Sequence, residues 1–285
     1  MRIGLSSPVV VQVPGIASAW ERSADMDDIA RIAAAADDLG YQFLTCSEHV
    51  AIPSADADTR GAVYWDPLAT LGFLAARTTN ILLATSVIVL GYHHPLEVAK
   101  RYGTLDRVSS GRLVLGVGIG SLAEEFKLLG APFDKRGVRA DDAMRALRAA
   151  LSTASPTYDG PFYSFSGMTV LPHAVQPRVP IWVGGRSVQS LRRAVRLADG
   201  WMPFGLTAHQ VEQLLTEVTL PPGFEVVLGT GRPLDPEGHP AETHRRMVEL
   251  SAVGATVVSC TIDADSAEHY CEQLRLLKDI ADTID

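Results

Sequence analysis

Ser47, Glu48 and His49 stand together directly after Tyr41–Cys46, an apolar run that reads as a buried strand. An imidazole exchanges a proton near neutral pH, and a neighbouring carboxylate can orient the ring. His49 is therefore a candidate acid or base with Glu48 as its orienting group; the plainer reading is a strand-to-loop transition with a capping serine. Thr85 and Ser86, followed by Val87, place two hydroxyls inside an otherwise apolar run. They read as a buried pair bonded to its own backbone, or as a polar notch beneath a planar ligand. His93 and His94 are adjacent on a loop with no carboxylate triad, so no metal site is expected there.

Two glycine clusters suggest a ligand. Gly116, Gly118 and Gly120 alternate at the end of an apolar strand. The spacing is not G-x-G-x-x-G, so it predicts close backbone approach to a flat cofactor and not a nicotinamide phosphate loop. Gly184, Gly185, Arg186 and Ser187 open a helical pattern. Unpaired N–H groups at a helix N-terminus, with a hydroxyl and a guanidinium, suit a phosphate; a serine N-cap on a glycine turn is the alternative. Glu124, Glu125, Lys127, Lys135, Arg136 and Arg139 read mostly as a solvated face, with Arg136 and Arg139 free to meet an anionic tail.

The elements that must position these residues alternate along the chain. Strands are predicted at Arg2–Leu5, Tyr41–Cys46, Ile81–Leu90, Arg112–Val117, Val179–Val183, Gly200–Phe204, Glu225–Leu228 and Thr256–Cys260. Helical patterns fall at about 26–39, 67–76, 95–108, 138–151, 188–198, 207–217, 240–252 and 265–282. Residues 121–137 read as irregular, and 156–180 as a loop excursion with room for a small hairpin. Eight strands and eight helices in alternation over 285 residues predict one (β/α)8 TIM barrel domain with loop insertions at its C-terminal face. A doubly wound sheet is the alternative, but it would concentrate function at one switch point.

Composition narrows the function classes. Net charge is −8 with no basic block, so nucleic acid is not an expected partner. No apolar run approaches the length of a membrane span, and the first residues lack the pattern of a signal peptide. Three cysteines without metal-type spacing predict reduced thiols and a cytoplasmic protein.

Four segments together carry a family resemblance: CSEHV at 46–50, TSVIVLGYHHPLEVAKRYGTLDRVSSGRLVLGVGIGS at 85–121, EEFKLLGAPFDKRGVRADD at 124–142 and PIWVGGRSVQSLRRAVRLADGWMP at 180–203. They resemble the luciferase-like flavin and deazaflavin oxidoreductases, and within them the branch that uses coenzyme F420. The resemblance implies a (β/α)8 barrel, a homodimer, and hydride transfer between C5 of a deazaflavin and a small organic substrate. It implies that His49 faces the deazaflavin ring and that Ser86 and Val87, joined by a non-prolyl cis peptide, back it. Gly118 and Gly120 would line the ring edge, and Gly184, Gly185, Arg186 and Ser187 would hold the cofactor phosphate. The chain departs from the family's sugar dehydrogenases at Ser121, where they carry an acidic residue, and at Ile52 and Pro53, where they carry a tryptophan. Glucose 6-phosphate oxidation is therefore not expected. His49 is left as the acid or base, with Glu124 or Glu125 able to substitute only through a loop movement. Two rivals stand beside this reading: an FMN-dependent luciferase-like monooxygenase, and a deazaflavin-binding protein without turnover.

Overall fold

Short apolar runs that are hydrophobic on both faces are what a parallel sheet covered by helices requires. The computed structural model, which describes residues 1–284, closes eight such strands into a barrel: β1 Ile3–Leu5, β2 Phe43–Cys46, β3 Leu82–Thr85, β4 Leu113–Gly118, β5 Ile181–Gly184, β6 Gly200–Met202, β7 Glu225–Gly229 and β8 Val257–Cys260. All neighbours pair in parallel, and Ile3 beside Val258 closes the ring. Residues facing alternate sides build two cores. Phe43, Ala84, Val114, Trp182, Met202, Val227 and Val257 form the smaller one. The Phe43 and Trp182 rings meet at 5.2 Å although β2 and β5 are not neighbours, which places this cluster inside the barrel. Their sequence neighbours Leu44, Leu83, Leu113, Ile181 and Val258 join the larger layer beneath the helices.

Several helices start on a capping side chain. Asp25 caps α1 (Met26–Asp38), accepting from Asp27 and Asp28 N–H, and Gly40 follows its end with a φ of +76°. Asp66 caps α2 (Pro67–Ala75), and His94 caps α3 (Pro95–Val108), each with proline in the first turn. The remaining helices of six or more residues are α4 (Ala123–Leu128), α5 (Arg136–Ala150), α6 (Val188–Leu197), α7 (Ala208–Leu215), α8 (Pro240–Ala252) and α9 (Ala267–Asp282). The excursion at 156–180 contains the small hairpin, Tyr158–Asp159 against Ser164–Phe165. It is held to α5 by Asp142, which accepts from Tyr158 O–H and from Phe162 and Tyr163 N–H.

Two sequence expectations change. Ile81–Leu90 is not one strand: β3 ends at Thr85, Ser86–Val87 is a cis peptide, and Ile88–Val89 pairs with β4 as a separate two-residue strand. The break is held from outside, because Ser86 N–H donates to the Cys46 carbonyl and Ser47 Oγ donates to the Ser86 carbonyl. The segment 121–137 is not wholly irregular, since α4 lies in it. Six residues are too few to show a periodicity; what fixes α4 is Phe126, fully buried beside Gly91 and Gly120.

Candidate active site

The carboxyl ends of β2, β3 and β4 converge on His49. Its Nδ1 lies 2.9 Å from Glu125 Oε2, a carboxylate of α4 with no solvent-exposed surface. The same oxygen accepts from Tyr92 O–H at 2.7 Å, and Oε1 accepts from Val50 and Ala51 N–H. Burial alone would raise the Glu125 pKa, but these hydrogen bonds outweigh it and hold the carboxyl below its ordinary value. A charged acceptor at Nδ1 assigns the ring proton to that nitrogen. In the neutral ring the lone pair is then on Nε2, which has no protein partner among the described residues. Tyr64 packs its ring edge-on to His49 at 4.6 Å, carried there by the antiparallel ribbon of Val11–Gln12 and Val63–Tyr64.

This corrects two sequence expectations. Glu48 does not orient His49; it turns away to receive His93 Nε2 at 2.7 Å and Val89 N–H at 2.7 Å. Its burial explains why, since a carboxylate at 9% exposure must find donors and its own neighbour's ring is already engaged. Glu125 needs no loop movement, because α4 folds it directly onto His49. Sequence reasoning did not single out Tyr64 or Tyr92, and no local pattern marks either one.

The bulge residues sit at the barrel mouth. Val87 lies between two glycines: a Cβ on Gly118 would fall 2.6 Å from its Cγ2, and one on Gly184 would fall 2.9 Å from its Cγ1. A Cβ on Gly120, whose φ is +77°, would meet Phe126 at 2.4 Å and Val89 at 2.8 Å. These glycines therefore make room first for protein atoms. Gly116 is the tightest case, at 1.8 Å from the Thr85 carbonyl, which fixes β3 against β4 together with the Thr85 Oγ1 to Gly116 carbonyl bond of 2.7 Å. Ser86 Oγ faces the Met202 sulfur at 3.8 Å.

Gly184–Ser187 leads from β5 into α6. Ser187 is a true N-cap, exchanging hydrogen bonds with Ser190. The first-turn N–H groups of a helix lack intrahelical partners, and the exposed Arg186 beside them has no ion-pair partner among the described residues. An N-cap and an anion-binding turn are thus compatible here. Arg136 and Arg139 are engaged differently: Arg136 stacks on Phe133 and donates to the Gly120 carbonyl, and Arg139 stacks on Phe162. Among the described residues no cluster of three or more His, Cys, Asp or Glu side chains could hold a metal ion, and no helix is long and apolar enough to cross a membrane.

Comparison with known proteins agrees with this architecture. An F420-dependent glucose-6-phosphate dehydrogenase of Nakamurella multipartita is 30% identical over 228 residues, which cover 78% of this chain and 65%, just under two thirds, of that relative. Two solved structures share the fold. One is the coenzyme F420-dependent tetrahydromethanopterin reductase of Methanopyrus kandleri (TM-score 0.72, 15% identity, 99% of each chain). The other is the oxygenating constituent of 3,6-diketocamphane monooxygenase from Pseudomonas putida, in complex with FMN (TM-score 0.74, 15% identity, 100% of this chain and 99% of that one). The profile of the luciferase-like monooxygenases matches residues 1–219, and the chain belongs to that family.

Proposed function

We propose that this protein is an F420-dependent oxidoreductase acting on a small organic substrate, with His49 as its acid–base residue. The observation that carries the reading is the His49 Nε2 left open at the barrel mouth while Nδ1 is anchored on the buried Glu125. The name of the 30%-identical relative supports the choice of deazaflavin. The residues present fit such a group. Ser86 and Val87 would back the ring, with Gly118 and Gly120 along its edge. Gly184, Gly185, Ser187 and the free cation of Arg186 would hold its phosphate at the start of α6. When bound, the deazaflavin supplies a carbon that takes up or gives a hydride.

The protein's own part is to manage the proton. His49 Nε2 takes the proton released when a substrate hydroxyl is oxidised, and returns it in the reverse direction. Glu125 fixes the tautomer and stabilises the imidazolium, and Tyr64 restrains the ring. An FMN-dependent monooxygenase is the second reading, favoured by the FMN-bound neighbour. A deazaflavin-binding protein without turnover is the third, favoured by Ser121 in place of an acid. Spectral titration with F420 and FMN separates them. Saturable F420 binding is expected, together with turnover that His49→Ala lowers by roughly 10²–10⁴-fold. FMN binding with oxygen uptake, and no F420 binding, would overturn the proposal.

A further inference from the structure

A chamber of about 180 Å³ opens beside the bulge, at the carboxyl ends of β8, β1, β2 and β3. It is lined by Val11, Val13, Ile16 and Ala17 of the β1–α1 loop, by Ser47 and Ser86 next to the bulge, and by residues such as Ser7, Thr45 and Tyr270 that the sequence did not connect with a ligand. Liquid water occupies about 30 Å³ per molecule, so the space suits several waters or one small ring. No lysine or arginine lines it. Its one carboxylate, Glu21, is 4% exposed and already committed, each oxygen accepting a backbone N–H at 2.7 Å from Val9 or Ser18. Burial pushes the Glu21 pKa up despite those bonds, a sign of low-polarity surroundings that disfavour charge.

The wall has unspent donors. Tyr270 is 1% exposed, lines the chamber, and its hydroxyl has no partner among the described residues. Ser7 and Thr45 accept from each other's backbone, with Ser7 N–H to Thr45 Oγ1 at 3.3 Å and Thr45 N–H to Ser7 Oγ at 3.2 Å. Neither hydroxyl donates to a protein acceptor among the described residues. Buried donors without acceptors are rare and costly, and each one calls for water or a ligand. The lining also includes the apolar Val11, Ile16 and Ile262.

We propose that this chamber is a recognition pocket of the substrate site, and that it takes an uncharged carbonyl or alcohol oxygen, other than the one that reacts at His49, on a small apolar body while rejecting carboxylates and phosphates. The donors Tyr270, Ser7 and Thr45 bind the oxygen, and the absence of any cation leaves an anion desolvated and unpaired. The inference rests on the reading of the mouth as a hydride-transfer site, and it narrows the substrate class for that site.

Saturation-transfer NMR on the full chain with four probes of one shape tests it: cyclohexanol, cyclohexanone, cyclohexanecarboxylate and cyclohexyl phosphate. The neutral pair is expected to bind at least about tenfold more tightly than either anion, the factor that 1.4 kcal/mol represents. Tyr270→Phe and Ser7→Ala are each expected to weaken cyclohexanone by roughly 3- to 10-fold, as the loss of one hydrogen bond does. F420 titration of both variants is expected to match the wild type and also reports that they are folded. Binding of an anion as tight as that of cyclohexanone, no binding of either neutral probe, or neutral binding indifferent to both substitutions would each overturn the subsite. Failure of F420 to bind the wild type, with the neutral probes still bound and sensitive to both variants, would instead overturn the hydride-transfer reading and leave a neutral-ligand chamber standing.

Discussion

His49 and His93 each share a hydrogen bond with a buried carboxylate, yet only one is left able to exchange a proton with a ligand. Glu125 holds His49 through Nδ1 alone, and Nε2 looks out from the mouth with the ring 23% exposed. Glu48 holds His93 through Nε2 at 2.7 Å, while Glu97 lies 3.9 Å from its Nδ1, so both nitrogens face acids. Burial opposes protonation of His93, but the Glu48 bond and the charges of Glu48 and Glu97 prevail and raise its pKa. A histidine with an acid at each nitrogen is favoured in its protonated form, whereas one held through a single nitrogen keeps the other free for a ligand. The same residue type, placed after two neighbouring strands, is thus divided between structure and chemistry by the number of acceptors around its ring.

Five measurements would break or sharpen this contrast. His49→Ala is expected to lower turnover by roughly 10²–10⁴-fold with cofactor affinity retained, the range for a lost general acid or base. His93→Gln is expected to leave turnover within the same order of magnitude, and equal losses for the two would erase the distinction. Next in size, Glu125→Ala leaves the Tyr92 hydroxyl and two backbone N–H groups without their acceptor. Denaturant unfolding is expected to show a loss of about 2–4 kcal/mol. Because the Glu125 pKa is lowered on folding, its contribution is complete above the unfolded carboxylate pKa and disappears as pH falls through the folded value. The difference between wild type and variant should therefore shrink in acid.

Gly118→Ala probes the wall between the pairs. Its Cβ would press on Val87, whose carbonyl accepts the Glu48 N–H at 3.3 Å. Overpacking of this kind costs about 1–3 kcal/mol, and an unchanged melting temperature would show that Val87 yields freely. The smallest expected effect is the pH dependence of His93→Gln. A folded-state pKa raised above the unfolded one stabilises fully below about pH 6.5 and is lost as pH rises through the folded value. The variant should thus be less stable than wild type by about 1–2 kcal/mol near pH 6 and converge with it in alkali.

Much of the frame was legible along the chain. Asp25 before Ile29, Ile32, Ala33 and Ala36, or Asp66–Pro67 before Leu71 and Leu74, state a helix and its start within one or two turns. Val114 and Leu115 already face the two different cores that the barrel builds. The Ser86–Val87 break was legible only through the family resemblance, because the run Ile81–Leu90 is uniformly apolar around two hydroxyls. Glu48 looked like the partner of His49 because it is adjacent to it; adjacency in an extended segment points successive side chains to opposite sides.

Sequence by itself determined what depends on near neighbours: strand and helix periods, caps, turns, and the eightfold alternation that calls for a barrel. Only the tertiary structure decided which acid meets which histidine. Glu125 lies 76 positions from His49, and Glu48 lies 45 from His93. Closing the sheet brings those strand ends and loops together, and a buried carboxylate then takes whatever donors the closed barrel sets beside it, because leaving it unpaired costs more than any local preference recovers.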